Sequence, residues 1–424
     1  MKVLVIGGGG REHAIVWKLS QSSSVDRIFW TPGNPAAKVA AHVSIPSLNT
    51  NDFSALADFA KKEHVDLTVV GPEAPLVAGI SEIFQNRGLA IFGPTKAGAQ
   101  LEGSKVFSKE FFLKHKIPTG RARAFSNYEE ALAYSKMQPK PLVLKADGLA
   151  AGKGVVICVQ QEEVQSHLAQ IMKERIFGEA GQKVLIEECL TGTEVSIHAI
   201  TDGKSYQMLP SVQDHKRVFD HDEGPNTGGM GTYSPAPIFT PALEERVRRE
   251  VFDRTLTGLR EEGVPYCGVL YAGLMLTPEG PKILEYNCRF GDPETQVLMM
   301  RLKSDLGQAL LAACRGELDR VRLDWSSEAA VCVILAANGY PGPFKKGDVI
   351  RGLDAAAARP HSFVFHAGTT VNGRDVVTQG GRVLGVTARG ADLREAIRRA
   401  YEAADLIQFD GKHCRRDIGS KALN

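Results

Sequence analysis

The feature that most constrains the fold is a pattern repeated through the first hundred residues. A short apolar run is followed by a loop rich in glycine or proline, and helical patterns separate four such runs, at 2–6, 27–30, 67–70 and 90–92. Short and almost wholly apolar runs are typical of parallel strands that helices cover on both faces. The pattern predicts a doubly wound α/β domain, in which ligands bind beyond the carboxyl ends of the strands.

Length and composition indicate a globular protein of several domains. The chain has 424 residues, of which 43% are hydrophobic and 24% charged, so we expect two to four domains. A net charge of +2 argues against a nucleic-acid partner or an anionic membrane surface. The seven cysteines are scattered without a C-x-x-C pair, and no stretch resembles a signal peptide or a membrane span. We therefore expect a cytoplasmic location.

The rest of the chain divides into three further parts. After an α/β domain at 1–103 we predict a small α+β unit at 104–190, with strands at 141–145, 155–159 and 183–188 and a helix at 162–175. A larger unit at 191–324 has strands at 194–201 and 205–211, a polar glycine-rich loop at 213–233 and a long helix at 241–262, followed by a hairpin of strands at 267–276 and 282–287. The part at 325–424 is rich in strands and closes with a helix at 393–406.

Two glycine-rich loops resemble nucleotide-binding motifs without matching them. In the loop at 7–13, His13 replaces the third glycine of a dinucleotide fingerprint and no acidic residue ends the second strand, so NAD binding is disfavoured. The loop suits a phosphate at a helix N-terminus or is simply a tight turn. In the loop at 145–154, Gly154 follows Lys153 where a P-loop has Ser or Thr. That loop is either a mobile flap over a nucleotide, flanked by Lys145 and Lys153, or a plain hairpin with exposed lysines.

The order of motifs along the chain resembles the ATP-grasp superfamily. A lysine on a strand, a glycine-rich flap, a strand ending in EECL (187–190), an acid at Glu194 and the segment EYNCR (285–289) follow one another. Within the superfamily the chain is similar to the phosphoribosylamine–glycine ligase family. The motifs that carry this resemblance are GGREHA (9–14), GPEAPL (71–76), FGPTKAGAQLEGSK (92–105), KADGLAAGKGV (145–155), QDHKR (213–217), GPNTGGMG (224–231), EYNCRFGDPETQ (285–296), HAGT (366–369) and GGRVLGVTA (380–388).

A metal site is predicted on the strand that carries EYNCR. Glu285 and Asn287 are two residues apart, so they share one face of the strand and offer two oxygen ligands for Mg²⁺, with Mn²⁺ a possible substitute. Arg289 continues that face and can hold a carboxylate or a phosphoryl group. The preceding strand, GVLYAGLML (268–276), lacks the acidic ligand that many ATP-grasp proteins have there, so the number of metal ions stays open.

The resemblance implies an ATP-grasp fold of two α+β lobes and the ligation of glycine to 5-phosphoribosylamine through glycyl phosphate, with ATP split to ADP and phosphate. It implies catalytic roles for Arg289, Asp214 and Lys145. The residues implied for ATP are Lys105, Lys145, Gly148, Gly152, Lys153, Gly154, Glu187, Glu188, Leu190 and Glu194. Those implied for glycine and phosphoribosylamine are Gly9, Gly10, Glu12, Pro32, Gly33, Asn34, Glu73, Asp214, Lys216 (or Arg217), Thr227, Gly228, Gly229, Met230, Gly231, Arg289, Asp292, Pro293 and Glu294.

Three functions are compatible with these motifs. The first is the glycine ligase, which we expect to act as a monomer on small molecules alone. The second is a relative that activates formate or bicarbonate, and QDHKR together with GPNTGGMG argues against it. The third is a nucleotide-binding regulatory protein, against which the full set of phosphate, metal and carboxylate residues stands. His13 is either a base or a residue that only supports the helix.

Overall fold

The four strands expected in the first hundred residues lie in one parallel sheet. In the computed structural model, which describes residues 1–149 and 154–423, this sheet has the order β3-β2-β1-β4-β5. Strand order therefore reverses between β1 and β4, and loops that follow these two strands meet at the carboxyl edge, as the doubly wound prediction requires. The elements are β1 (Lys2–Gly7), α1 (Gly10–Leu19), β2 (Arg27–Pro32), β3 (Val43–Ser44), α2 (Phe53–Lys62), β4 (Leu67–Val70), α3 (Glu73–Val77), α4 (Ile80–Gln85), β5 (Ile91–Phe92) and α5 (Lys96–Gly103).

A small antiparallel sheet follows, with the order β6-β9-β7-β8. Two helices cover one of its faces, and their apolar side chains, such as Val164 and Leu168, pack on Leu142 and Leu144 of the central strand. The unit contains α6 (Lys105–Lys114), β6 (Ala122–Phe125), α7 (Tyr128–Lys136), β7 (Leu142–Ala146), β8 (Val155–Cys158), α8 (Gln161–Met172) and β9 (Val184–Glu188). Strands β7 and β8 precede and follow the predicted flap in the chain, and its residues 150–153 lie outside the described residues.

The third unit is built on an antiparallel sheet of order β11-β10-β16-β17. One face packs on the predicted long helix, which runs as α9, a π-helical turn (Arg248–Phe252) and α10; the other packs toward α11, α12 and the first domain. Its elements are β10 (Thr193–Thr201), β11 (Tyr206–Met208), α9 (Pro241–Val247), α10 (Asp253–Glu261), β16 (Gly268–Thr277), β17 (Gly280–Asn287), α11 (Glu294–Arg301) and α12 (Leu306–Arg315).

The segment 213–233 is not the plain loop that its polar, glycine-rich composition predicts. It forms four short strands, and the loop prediction was wrong because each strand is too short to show a pattern of its own, while the pairing that places the last of them in a larger sheet is with a strand about a hundred residues away. Strands β12 and β15 join the C-terminal sheet, in the order β12-β15-β18-β22-β19, while β13 and β14 pair with each other. The four are β12 (Gln213–Asp214), β13 (Arg217–Phe219), β14 (Glu223–Asn226) and β15 (Gly231–Ser234). We call residues 217–226 the β13–β14 hairpin.

The C-terminal part is rich in strands and ends with α14 at its predicted bounds. It contains β18 (Ala329–Ala336), α13 (Leu353–Ala357), β19 (Ser362–His366), β20 (Thr369–Asn372), β21 (Asp375–Thr378), β22 (Arg382–Gly390) and α14 (Leu393–Leu406). Apolar side chains of the first domain, the central sheet and this part form one continuous core. No helix among residues 1–149 and 154–423 is long and apolar enough to cross a membrane.

Candidate active site

A β-bulge in β17 aims Glu285 and Asn287 at one side of the sheet. Ile283 pairs with Leu274 and Glu285 pairs with Gly273, so Leu284 is an extra residue in the ladder. The bulge reverses the alternation: Ile283 and Tyr286 both lie in the core, whereas Glu285 and Asn287 are partly exposed. The carbonyl of Leu284 accepts a hydrogen bond of 3.0 Å from Lys145 Nζ. The bulge thus joins the predicted metal strand to the small sheet.

Three lysines surround the Glu285 carboxylate. Lys216 Nζ lies 3.8 Å from Glu285 Oε1 and 3.4 Å from Glu194 Oε2. Burial alone raises the pKa of Glu285, but the charges of Lys216, Lys145 and Lys105 outweigh it and hold this pKa below its usual value. Glu285 is therefore anionic at neutral pH. Lys216, which we expected beside the sugar phosphate, lies instead between the two acids expected for the ribose and the metal.

Two oxygen donors on one face are a partial ligand set for a hard divalent cation. Among the residues that the structure describes, no group of three or more His, Cys, Asp or Glu side chains is arranged to hold a metal ion. Mg²⁺ prefers six oxygen ligands and is often held by one or two protein groups together with substrate phosphates. Glu285 and Asn287 fit such an ion, with the phosphates of a nucleotide supplying further oxygens.

Arg289 is held by two carboxylates from the first domain. Its Nη2 donates to Glu102 Oε1 (2.8 Å) and Asn287 Oδ1 (3.0 Å), and its Nε to Glu73 Oε2 (3.2 Å). Nη1 donates to the carbonyl of Phe290 (3.3 Å), so one of the five N–H groups remains for another acceptor. Burial lowers the pKa of Arg289, but Glu102 and Glu73 more than compensate and raise it. Sequence reasoning missed Glu102, because nothing in its spacing from position 289 links the two.

A second buried ion cluster lies between the small sheet and α6. Glu187 forms ion pairs with both Lys145 and Lys109, and all three side chains are less than a tenth exposed. Lys109 also donates to Thr119 Oγ1 (2.6 Å) and to the carbonyl of Gly120 (3.1 Å). Glu187 was predicted to serve the nucleotide, and in the structure its carboxylate instead fixes Lys145. Lys109 was missed, since a lysine in an amphipathic helix is usually on the surface.

The remaining residues predicted for the nucleotide lie around the same cluster. Lys105 Nζ donates to the carbonyl of Gly148 (3.1 Å), and the carbonyl of Gly154 accepts from the N–H of Ala146 (2.9 Å). Glu188 receives two hydrogen bonds from Arg121, which fix its carboxylate, and its own N–H donates to the carbonyl of Arg121 (3.0 Å). Leu190 lies two residues beyond Glu188, which ends β9. The predicted flap residues Gly152 and Lys153 lie outside the described residues.

The loop 291–294 lies opposite Asp214. Glu294 Oε1 accepts from the hydroxyl of Tyr271 (2.7 Å), and Asp292 accepts from Gln296 Nε2 (2.9 Å). Burial, and then the nearby charge of Glu294, raises the pKa of Asp214 well above its usual value. A side chain at position 229 would come within 2.7 Å of Asp214 Oδ1 and 2.6 Å of Pro293 Cδ, and φ is +111° there, so only glycine fits.

Of the amides predicted to bind a phosphate at 227–231, those of residues 227–230 have acceptors inside the protein. Thr227 donates to the carbonyl of Lys216 (2.7 Å) and Gly228 to the Tyr340 hydroxyl (3.0 Å). Gly229 donates to Thr227 Oγ1 (2.9 Å) and Met230 to the carbonyl of His215 (2.8 Å). Gly231 lies opposite Val333 in the sheet. A phosphate would have to replace some of these hydrogen bonds.

Arg382 fixes the same turn from the C-terminal part, and the sequence did not single it out. Its guanidinium donates to the carbonyls of Gly228 (2.7 Å) and Asp292 (2.6 Å) and lies 3.3 Å from the Asp292 carboxylate. It thereby joins the turn at 227–231 to the loop 291–294.

The Glu12 side chain fills the space between the ends of β1 and β4 at the carboxyl edge of the first sheet. Its carboxylate accepts from the N–H of Gly9 (2.7 Å) and from Arg11 Nε (2.6 Å). A Cβ at Gly7 would lie 2.6 Å from Glu12 Cγ, and one at Gly71 would overlap the carboxylate. The position of the Glu12 side chain therefore requires glycine at the ends of both β1 and β4. Gly10, at the start of α1, packs toward Asp292.

The other N-terminal residues predicted to bind substrate mainly join domains. Asn34 is buried, donates to the carbonyl of Ala367 (3.0 Å) and accepts from Thr369 Oγ1 (3.1 Å). The two residues before it, Pro32 and Gly33, pack against Gly8 and so close the loop. His13 stacks on Trp30, and its Nδ1 accepts from the N–H of His366 (2.8 Å). Burial lowers the pKa of His13 to about 3, so the ring is neutral and supports the packing of the helix.

Three family models match almost the whole chain. They are phosphoribosylglycinamide synthetase N domain (residues 1–102), ATP-grasp (A) domain (103–295) and C domain (330–421). The phosphoribosylamine–glycine ligase of Vibrio cholerae serotype O1 is 50% identical over 424 residues, which is 100% of this chain and 99% of that protein. The corresponding ligase of Escherichia coli O6:H1 is 48% identical over 425 residues, with the same coverage.

Solved structures agree with these matches. The phosphoribosylamine–glycine ligase from Thermotoga maritima has a TM-score of 0.86 at 36% identity, covering 99% of this chain and 100% of that one. The biotin carboxylase domain of Hydrogenobacter thermophilus 2-oxoglutarate carboxylase, in complex with MgADP and bicarbonate, has a TM-score of 0.74 at 17% identity, covering 97% and 91%. At that identity the second likeness shows the shared fold alone.

Proposed function

The chain belongs to the phosphoribosylglycinamide synthetase family, and from that premise we propose which residues carry out its reaction. It is an ATP-dependent carbon–nitrogen ligase that joins glycine to phosphoribosylamine in purine biosynthesis. ATP and a divalent metal ion serve the reaction. In our proposal the γ-phosphoryl group passes first to the glycine carboxylate, giving glycyl phosphate and ADP. The amine then attacks the activated carbonyl carbon, and phosphate leaves.

The observation that carries this proposal is the charged face formed by β17 and its lysines. Glu285 and Asn287 would hold the metal ion, which we propose to be Mg²⁺ with Mn²⁺ as a substitute, and a bound ion would neutralise phosphate oxygens. Lys105, Lys145 and Lys216 converge on Glu285, so their ammonium groups would hold the phosphates while negative charge moves to the β-phosphate. Removing any of these charges raises the barrier to transfer.

We assign the purine base and ribose to the end of β9. Backbone groups of Glu188 and Leu190 would bind the edge of the adenine, and Glu194 the ribose. Lys216 lies 3.4 Å from Glu194 and 3.8 Å from Glu285, so its ammonium group would lie between the ribose and the phosphates. Gly148, Gly152, Lys153 and Gly154 belong to the flap, whose closure would exclude water from an acyl phosphate.

Glycine would bind between Asp214 and the loop 291–294. The carboxylates of Asp214 and Glu294 lie close enough for Glu294 to raise the pKa of Asp214, and an ammonium group between them would satisfy both charges. The single N–H group left on Arg289 Nη1 would orient the glycine carboxylate or its phosphate. Arg289 is fixed by Glu73 and Glu102, so this orientation does not depend on a flexible side chain.

Phosphoribosylamine would bind where the loops after β1 and β4 meet, at the usual ligand position of a doubly wound sheet. Gly9, Gly10 and the loop 32–34 border this place, and Asp292 lies between it and the glycine residues of 227–231. The amine would then approach the glycyl carbonyl from the first domain. This arrangement puts the two substrates on opposite sides of the loop 291–294.

Trapping of the intermediate tests the reaction order. With ATP, metal ion, glycine and hydroxylamine but no phosphoribosylamine, the enzyme should form glycine hydroxamate and ADP in equal amounts. Mg²⁺ and Mn²⁺ should both support this reaction. ADP release with formate or bicarbonate and none with glycine would contradict the proposed substrate, and tight ATP binding without glycine-dependent turnover would favour a regulatory protein.

Substitution on β17 tests the metal site. Glu285→Ala and Asn287→Ala should each lower kcat at least a hundredfold, because ligands to the ion act on the transferring phosphate. Glu279→Ala is the matched control, since the Glu279 side chain lies 77% exposed in the preceding turn and its carboxylate pairs with Lys282, away from the metal face. Near-normal turnover of both β17 variants at limiting metal ion would remove Glu285 and Asn287 from the metal site.

A further inference from the structure

The β13–β14 hairpin carries Lys216 at its base. The N–H and Oγ1 of Thr227 both donate to the carbonyl of Lys216 (2.7 and 2.9 Å), and Arg217 pairs with Asn226 as the first rung of the hairpin. The orientation of the hairpin therefore sets the position from which the Lys216 side chain starts. An isolated two-stranded hairpin is at best marginally stable, and residues 219–225 of this one are largely exposed. Contacts with other parts of the protein must therefore fix its orientation.

The support comes from the end of the chain, more than 190 residues away. Residues 413–421, which follow α14, contact the hairpin along its length, and we call them the C-terminal brace. The contacts are His413 Nε2 to the carbonyl of Val218 (2.8 Å), Arg415 Nη1 to the carbonyl of Arg217 (3.1 Å), the N–H of Arg416 to Asp220 (2.7 Å), the N–H of His221 to Asp417 (2.9 Å), Arg415 Nη1 to Asp222 (2.8 Å) and an ion pair of Lys421 with Asp222.

Arg415 is the centre of the brace. Its side chain is 0% exposed, and Nε and Nη2 form a two-pronged ion pair with Asp417 (2.8 and 2.7 Å). That pair fixes the plane of the guanidinium, so Nη1 points at Arg217 and Asp222. A buried arginine is costly without full pairing, and nothing in the reaction described above uses it.

The turn of the hairpin also depends on this contact. His221 and Asp222 have φ of +60° and +57°, the left-handed region that non-glycine residues seldom adopt. Asp222 is held there by both Arg415 and Lys421. Loss of the Asp222 contact would let the turn relax and the strands of the hairpin shift, together with Lys216 at their base.

We propose that Arg415 is a positioning residue for phosphoryl transfer, which holds the hairpin so that Lys216 reaches Glu194 and Glu285. The proposal rests on the role given to Lys216 in the proposed function. The proposal gives the C-terminal part a role near the place where the nucleotide would bind, although this part lies outside the ATP-grasp domain in sequence.

A double-mutant cycle tests whether Arg415 acts through Lys216. Arg415→Ala and Lys216→Ala should each lower kcat at least tenfold while changing KM for glycine less than twofold. The double variant should be no slower than Lys216→Ala alone within a factor of two, because the hairpin has no ammonium left to position. Arg415→Lys, which keeps the charge but loses the two-pronged geometry, should lie between wild type and Arg415→Ala.

Arg416→Ala is the matched control. The Arg416 side chain is 54% exposed and pairs with Asp405 of α14, so its loss leaves the hairpin contacts intact, and kcat should stay within twofold of wild type. If Arg415→Ala does not fold, Asp222→Asn replaces it: asparagine tolerates the left-handed turn, the Arg415–Asp417 pair remains, and kcat should fall at least threefold.

The outcomes separate this inference from the proposed function. An unchanged kcat in Lys216→Ala would overturn the role of Lys216 itself. A large loss in Lys216→Ala with full activity in Arg415→Ala and Asp222→Asn would overturn only the positioning role. If the fold losses in kcat of the two single variants multiply in the double variant, the positioning role is also overturned, because Arg415 would then act independently of Lys216.

Discussion

Lowering the pH from 7 to 5 should destabilise the folded protein through four buried histidines. Burial is the largest cause that lowers the pKa of His13 and His198 from 6.5 to about 3, and of His215 and His366 to about 4. In each case the folded pKa lies below the unfolded pKa, so the unfolded chain binds more protons in this range. The stability that these groups contribute is complete above pH 6.5 and is lost as the pH falls toward 4.

The size of the effect follows from the two pKa values. A histidine with an unfolded pKa of 6.5 and a folded pKa of 4 or less loses about 1.9 kcal/mol of stability between pH 7 and 5. Four such residues together lose about 7.6 kcal/mol, a large share of a typical total of about 5–15 kcal/mol. Asp214 and Glu102 act in the opposite sense, because their pKa values are raised on folding, and so the net loss is smaller.

Urea unfolding at pH 7 and pH 5, with proton uptake on unfolding measured at pH 5.5, checks this prediction. His13→Gln keeps an acceptor for the N–H of His366 but removes one titrating group, so it should lower uptake by about one proton and reduce the pH effect by about 1.9 kcal/mol. The control is His64→Asn, at an exposed left-handed position that asparagine tolerates. Equal stability at the two pH values, or equal pH effects in His13→Gln and wild type, would refute the reasoning.

Three further predictions concern the buried charges. Glu187→Ala should destabilise the protein by about 3–5 kcal/mol, and more than Lys109→Met does, because it leaves two buried lysines unpaired; thermal unfolding of both variants checks this order. Glu102→Gln should lower kcat/KM for glycine about tenfold, because Arg289 loses one charged hydrogen bond that fixes it; steady-state kinetics at saturating ATP measure the loss. KM for glycine should fall as the pH rises through the raised pKa of Asp214, since its carboxylate binds the ammonium group, and Asp214→Asn should remove this pH dependence from the kinetic profile.

The parts of the fold that the sequence predicted are those fixed by local pattern. The apolar runs before glycine-rich loops became β1, β2, β4 and β5, and the helical period at 393–406 became α14. The strands in 213–234 were missed because they are short and because the pairing that draws them into a larger sheet is distant: Gln213 and Asp214 pair with Tyr233 and Thr232, and β15 then pairs with β18. These polar strands of two to four residues show neither an apolar run nor an alternation by which they could be recognised without their partners.

The metal strand was predicted for a reason that is only partly correct. A period of two does put Glu285 and Asn287 on one face, but counting the same period back to Ile283 would put Glu285 in the core. The bulge at Leu284 decides which face is exposed, and the segment ILEYN (283–287) contains no residue type that indicates a bulge. Likewise Glu102 lies 187 residues from Arg289, so only the fold brings the acid and the base together.

The N-terminal motifs show why a family motif need not consist of ligand-binding residues. In sequence, GGREHA and GPEAPL appear as two loops that could each meet a substrate. In the fold, the Glu12 side chain of the first occupies the space that a side chain at Gly71 of the second would need. The same carboxylate accepts from the N–H of Gly9 and so shapes the loop. Position 71 therefore requires glycine because of Glu12, and the two motifs act as one packing unit that holds the amides of Gly9 and Gly10 at the junction of β1 and β4.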